Sequence, residues 1–438
     1  MVALSEGRNV PTNLEEKGVA PVHLQDEQST QFPPIDRGKD AWLFLAACFF
    51  MEALVWGFAF TYGVFQAHYS SLDMFKDSRN IAVIGTCAMG IMYLDLPIVF
   101  VVFKRWPNYQ RTGCAIGVLM MCLAMALSSF ATNVTHLIVS QGVFYALGGS
   151  IAYSPCILLM EDWFDKRKGL AFGVMWAGTG LGGVILPLVM QSLLDRFGFR
   201  VALRAFAVAL FVLTAPLVYF VKPRVPVSER PISVPIKFHF MFTSTFALFE
   251  IFNVIQALGF FLPSIYLPSY AHAIGAPGSM DALTVILVNV ASVVGCVAMG
   301  AVVDKWDSTK CILLSTVGST LGVFFLWGFS SSLEPLFVFA VVYGFFAGSY
   351  TSTWPGIMRD VGEKRSADST LVLSCLSAGR GIGNIASGPL SEVLLRGMPW
   401  KGQASYGFGS GYGTLIVFTG VTGLLGGGSF LARRFKWM

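Results

Sequence analysis

Four ionisable side chains stand where charge is expensive. Glu52, Asp95, Glu250 and Arg380 each fall inside an apolar run long enough to cross a bilayer. A charge at the bilayer centre costs about 2.5 to 3.5 kcal/mol on insertion scales, so such a group faces a partner or a wet cavity. Arg380 stays protonated at any working pH and can hold a carboxylate through two parallel N–H···O bonds. Ser377 and Asn384 lie on the same helical face as Arg380, which makes a polar stripe. Two readings of Arg380 stand: an anchor for an anion, or a structural ion pair with Glu250, Glu52 or Asp95. Glu52 shares its face with Trp56 and Ala59, and Glu250 shares its face with Asn253 and Gln256. A carboxyl held between burial, which favours the neutral form, and an arginine, which favours the ionised one, can move protons. Glu52 and Glu250 are therefore the candidates for proton coupling. Asp95 lies nearer the cytoplasmic half of its span, where gating or helix pairing is the expected role.

The elements that position these groups are read from composition. The chain has 438 residues, of which 55% are hydrophobic and 13% charged. An ordinary globular domain carries about 25% charged residues. Mean hydropathy is +0.65. A water-soluble surface of this size needs far more charge, so the expectation is an all-α membrane protein. Apolar runs with charged punctuation give twelve spans, near 41–67, 81–103, 112–130, 136–160, 169–193, 201–221, 240–267, 282–303, 311–329, 335–357, 370–395 and 413–432. Residues 1–39 are polar and Pro-containing with no apolar core, and are expected to form a disordered cytoplasmic tail. Residues 222–238 carry Pro223, Pro226, Pro231 and Pro235, a linker composition that divides the chain into six-span bundles at 40–221 and 239–438. With the amino terminus inside, the five inner loops hold 15 lysines and arginines against 6 in the outer loops. Both termini are thus expected in the cytoplasm.

Other chemistries fail on context. The basic residues come in short bursts between apolar runs, which is not a nucleic-acid footprint. All eight cysteines sit inside or at the edge of apolar runs, and none forms a C-x-x-C, so neither disulfides nor structural zinc is expected. Gly178-Thr-Gly180-Leu-Gly-Gly183 fits G-x-G-x-x-G, but it lies within an apolar helix, where small residues serve close helix approach. No nucleophile elbow, zinc set or phosphate loop remains, so the chain is not read as an enzyme and no cofactor is expected.

The two halves repeat. Ala177-Gly-Thr-Gly180-Leu-Gly182 in span five answers Ala378-Gly-Arg-Gly381-Ile-Gly383 in span eleven at an offset of 201 residues. Pro155 and Pro355 mark corresponding places in spans four and ten. A basic cluster follows each, Lys166-Arg167-Lys168 and then Lys364-Arg365. Paired six-helix halves of this kind enclose a site near the bilayer midplane and expose it alternately to either side.

At these residues the chain resembles a major facilitator superfamily transporter. Gly300-Ala-Val-Val-Asp304-Lys305 matches that superfamily's G-x-x-x-D-[RK] loop motif, whereas Phe103-Lys104-Arg105 in the first half lacks the acid. Within the superfamily, Trp163-Phe-Asp-Lys166-Arg-Lys168-Gly-Leu-Ala171-Phe-Gly173, leading into Ala177-Gly178-Thr179-Gly180, is similar to the monocarboxylate-transporter-like group. Span one, with Gly63-Val-Phe-Gln66, fits as well. The lactate-type members' span-one lysine and span-eight Asp/Arg pair are missing here. Span one carries Glu52, and the interior of span eight offers Asn289. The resemblance therefore implies fold and transport class, but not lactate as cargo.

Together these readings lead to a twelve-helix transporter of two pseudo-symmetric six-helix bundles, moving a small monocarboxylate-like organic acid by alternating access, coupled to protons. Expected substrate contacts are Arg380, Asn384, Trp56, Tyr153, Asn253 and Tyr350; expected gating residues are Asp95, Asp304 and Lys305. The partners are a small-molecule substrate, protons and the lipid bilayer, with the chain a monomer in the plasma membrane. An exporter of a larger apolar or amphipathic metabolite, and a membrane sensor that does not transport, are the alternatives.

Overall fold

Apolar runs in a bilayer must close every backbone hydrogen bond internally, and this chain does so as helices. A computed structural model describes residues 32–75, 78, 80–226, 228, 236–277, 280–365 and 367–438. Residues 34–438 group as one unit. Among the described residues nine helices are long and apolar enough to cross a membrane, or ten with a pair bent by 42° at Asp95 counted as one span. One of the nine, Lys168–Phe220, is two spans folded back at Gly198, whose φ of 73° favours a residue without Cβ. Ser369–Leu395, less apolar because it carries Arg380 and a run of Ser and Gly, is the twelfth.

The spans are numbered α1 to α12 in chain order. The first half comprises α1 (Lys39–Ser71), α2 (Ile81–Leu94 with Leu96–Arg105), α3 (Pro107–Ser128), α4 (Val134–Trp163), α5 (168–197) and α6 (199–220). The second comprises α7 (Ser244–Ala273), α8 (Met280–Val303), α9 (Ser308–Trp327), α10 (Leu333–Glu363), α11 (Ser369–Leu395) and α12 (Gly413–Arg434). The bend in α2 has a local cause: Pro97 has no N–H to offer the carbonyl of Tyr93 one turn earlier.

The sequence repeat has a geometric counterpart. A Cβ added at Gly178 would lie 2.2 Å from the Phe49 carbonyl oxygen, and one at Gly182 would lie 2.4 Å from that of Ala53. In the second half, a Cβ at Gly379 would meet the Glu250 carboxyl, and one at Gly383 would lie 2.8 Å from the Val254 carbonyl oxygen. Each partner is displaced by the same 201 residues as its glycine. The α1–α5 and α7–α11 contacts are thus two copies of one small-residue crossing.

The start of α1 and the end of α12 lie on one face, the terminal face. Just before α1, the Asp36 carboxylate accepts N–H bonds from Asp165, Lys166 and Arg167 at 3.1, 3.0 and 3.0 Å, between α4 and α5. At the other end, Arg433 of α12 pairs with Asp307 before α9 and with Asp360 of α10. Of the segment 1–39 read as a tail, residues 1–31 lie outside the described residues, and 34–39 make this ordered approach to α1. Of the linker, residues 227 and 229–235 lie outside them as well.

Candidate transport site

A cavity of about 750 Å³ lies between the halves, lined from α1, α2, α4, α5, α7, α8, α10 and α11. Its wall is largely aromatic. Trp56 packs 4.5 Å from Tyr93 and 5.8 Å from Tyr153. Trp176 of α5 meets Trp354 of α10 edge-on at 5.7 Å across the two halves. Phe60 of α1 and Phe261 of α7 face each other at 6.0 Å. Two charged side chains interrupt this wall, Glu52 and Arg380.

Arg380 is 1% exposed. It donates from Nη1 to Gln256 Oε1 at 3.0 Å, and its guanidinium carbon lies 4.2 Å from the centre of the Phe260 ring. Tyr350 lies further away, its ring centre 6.0 Å from that carbon. Among the described residues no ion pair joins Arg380 to Glu52, Glu250 or Asp95. Its Nε is buried without a protein partner. Glu52, 3% exposed, accepts from Thr179 Oγ1 at 3.0 Å through one oxygen, and its other oxygen is buried without a partner. Thr179 and Arg380 occupy equivalent places in the repeat, so one repeat position carries a hydroxyl in α5 and a guanidinium in α11.

The other expected site residues are placed as follows. Trp56 and Tyr153 line the cavity. Asn253 is fully buried and donates to the Leu376 carbonyl at 2.7 Å, which ties α7 to α11. Glu250 accepts from Asn253 at 3.5 Å and packs on Gly379 in the same crossing. Tyr350 and Asn384 stand outside the residues that line the cavity, and both polar side-chain atoms of Asn384 are buried without partners. Asp95 accepts from Ser150 of α4 at the break in α2. Gln256 and the Phe260–Phe261 pair escaped the site reading, although Gln256 shares a face with Glu250 and Asn253. Apolar phenylalanines on an apolar helix carry no sequence mark that separates wall from lipid face.

The terminal side of the cavity is sealed by contacts between the halves. Asp304, just past α8, accepts from Gly169 N at 2.6 Å and Leu170 N at 2.9 Å, the free amides at the start of α5. Burial pushes the Asp304 carboxyl above its ordinary range, and these two amides oppose that. In the other half, Lys104 at the end of α2 bonds Asp368, the N-cap of α11. Phe103 stands where the first-half loop motif lacks its acid, the basic Lys104 beside it is kept, and the N-cap of α11 supplies an acid at this seam. Ser369 also donates to Glu161 of α4 at 3.1 Å. Lys305 is exposed and, among the described residues, takes no part in an ion pair. Small residues bring α5 and α8 together here: a Cβ at Gly173 would sit 2.4 Å from the Cys296 carbonyl oxygen. Towards the opposite face two small-residue positions stand open. A Cβ at Gly63, on the Trp56–Phe60 face of α1, or at Gly388, on the Arg380–Asn384 face of α11, meets no atom within 4 Å.

Twelve membrane-spanning helices in two pseudo-symmetric halves, around a cavity closed on one face, define a secondary transporter and a multi-pass integral membrane protein. The chain belongs to the major facilitator superfamily, whose sequence profile matches residues 104–264 and 249–436. It is similar to MFS-type transporter 1 of Ophiocordyceps sp. (strain BCC 1869), at 29% identity over 96% of this chain and 90% of that protein. It is also similar to monocarboxylate transporter 12 of Xenopus laevis, at 26% identity over 77% and 79% of the two chains. Among solved structures, the transporter FucP in the outward conformation shares the fold with a TM-score of 0.64 at 13% identity, covering 91% of this chain and 99% of that one.

Proposed function

We propose that this transporter moves an organic acid with a proton across the plasma membrane, with both termini cytoplasmic and the chain acting as a monomer. One observation carries the acid: a permanently charged guanidinium in the cavity wall is bonded to an amide and, among the described residues, to no carboxylate. A buried cation without a counter-ion is retained where an anion completes it. The likeness to a protein named a monocarboxylate transporter supports the same class. Glu52, the carboxyl group on the opposite wall, is the proton carrier in this reading. The excess of lysine and arginine in the loops of the terminal face supports a cytoplasmic placement of that face. The largely aromatic wall favours an acid with an apolar body. The same wall supports the second reading, export of a larger amphipathic metabolite.

Binding of carboxylic acids and their methyl esters to purified, folded protein tests the anchor. Arg380→Lys keeps the charge but loses the planar fork, and should weaken acid binding by the order of a charge-assisted hydrogen bond, about 1.5 to 3 kcal/mol. Arg380→Ala should weaken it further, while esters bind the parent weakly and change little. Equal losses for acid and ester would move the assignment to the exporter.

A further inference from the structure

The guanidinium of Arg380 is held from behind. Gln256 and Phe260 lie one turn apart on α7 and both touch it, the first at Nη1 and the second beneath its face. Gln256 is 4% exposed and stands outside the wall of the central cavity. It lines instead a separate, smaller space, together with Phe260, Ser319, Thr320 and Thr419. A guanidinium carries five N–H donors in a rigid plane, so fixing Nη1 and one face fixes where the rest point. The Nε–H is left buried with no acceptor in the protein. A buried donor left unpaired calls for an explanation, and an acceptor brought by the cargo to this guanidinium is one.

We propose that Gln256 and Phe260 are positioning residues that aim the N–H groups Gln256 leaves free on Arg380 at the substrate carboxylate, and that the amide at position 256 sets the preference for anionic cargo. The inference deepens the acid reading above and rests on it. An amide oxygen accepts one hydrogen bond from Nη1 without cancelling the positive charge. A carboxylate in the same place would form an internal ion pair, and the cavity would then present a neutralised group to an arriving anion. The choice of Gln over Glu therefore keeps Arg380 available.

Phenylacetate and methyl phenylacetate are the probes, one acid and one neutral ester with the same aromatic body. Equilibrium binding is measured on the full chain in lipid nanodiscs, with transport of phenylacetate in proteoliposomes. Gln256→Glu should lower phenylacetate affinity by about tenfold or more while methyl phenylacetate stays within about twofold. Gln256→Leu removes the hold without adding charge. It should raise the KM for phenylacetate severalfold with kcat nearly unchanged, and it covers the case in which the Glu variant does not fold. Unchanged phenylacetate binding in folded Gln256→Glu, or equal losses for acid and ester in either variant, would overturn the positioning role. Arg380→Ala is run alongside. If it binds phenylacetate as the parent does, or if the parent binds none, the acid reading itself fails. If it loses phenylacetate and Gln256→Glu does not, only the role of position 256 fails.

Discussion

Glu52 is the carboxyl group among the residues that line the central cavity, whereas Glu250 is folded into the α7–α11 crossing. Spacing along the helix made the two equivalent candidates, and packing separates them. Glu52→Gln should abolish accumulation driven by an imposed proton gradient and leave exchange down a substrate gradient measurable. Glu250→Gln should keep most of the accumulation, because its neighbours are Asn253 and the backbone of α11. Accumulation ratios and counterflow in proteoliposomes check both, and an unchanged ratio in Glu52→Gln would remove the proton assignment. At this scale the intramembrane charges were legible because the bilayer penalises each one. Their partners were not legible: the amide that holds Arg380 and the hydroxyl that holds Glu52 sit on other helices, which no periodicity within one helix reports.

The small-residue crossings invite a direct test at the scale of the helix. Gly178→Ala would drive a methyl group into the Phe49 carbonyl, and overpacking of this kind costs typically about 1 to 3 kcal/mol. Gly63→Ala meets open space and should leave thermal stability in detergent close to that of the parent. Comparable melting shifts in the two variants would contradict the packing argument. The clasp between α2 and α11 gives a second test. Burial acts to raise the Asp368 carboxyl, but the Lys104 ammonium and the hydrogen bonds of the N-cap outweigh it and hold the group below its ordinary value of 3.8. A depressed carboxyl contributes to closure at every pH above 3.8 and loses that contribution only as pH falls through its lowered value. Closure of the terminal face should therefore be flat in pH near neutrality as far as this pair is concerned. Lys104→Met should favour opening by a factor of a few, since half-exposed pairs are worth about 1 kcal/mol or less. Labelling of a reporter cysteine placed at Val303, which is buried against Gly169 at the same seam, is the measurement.

For the whole molecule, the clasps and the open positions at Gly63 and Gly388 make the terminal face the closed one in this structure. With both termini cytoplasmic, as proposed, the cavity stands ready to receive from outside. In a cysteine-free background, Gly388→Cys should react with a membrane-impermeant thiol reagent added outside, and Val303→Cys should not. Reversed accessibility would overturn the orientation. Asp304→Asn keeps one acceptor for the α5 amides where the carboxylate serves two. Conformational cycling should change in rate while the order of substrate preference is kept. A changed preference at the parental rate would contradict a gating role.

Length, hydropathy and the 201-residue repeat determined the membrane class, the twelve spans, the two halves and the crossing of α5 with its partner helix. They could do so because a bilayer demands continuous apolar helices, and because a repeated glycine spacing demands a repeated close approach. The tertiary structure alone decided which polar residues face the cavity. It turned Asn253 into a tie between α7 and α11, set Gln256 behind Arg380, and paired Lys104 with the N-cap of α11 in place of the absent loop acid. A side chain inside a bundle is surrounded by helix on nearly every side. Whether it meets cargo, lipid or another helix depends on rotations and tilts set by all twelve spans together, which no single stretch of sequence carries.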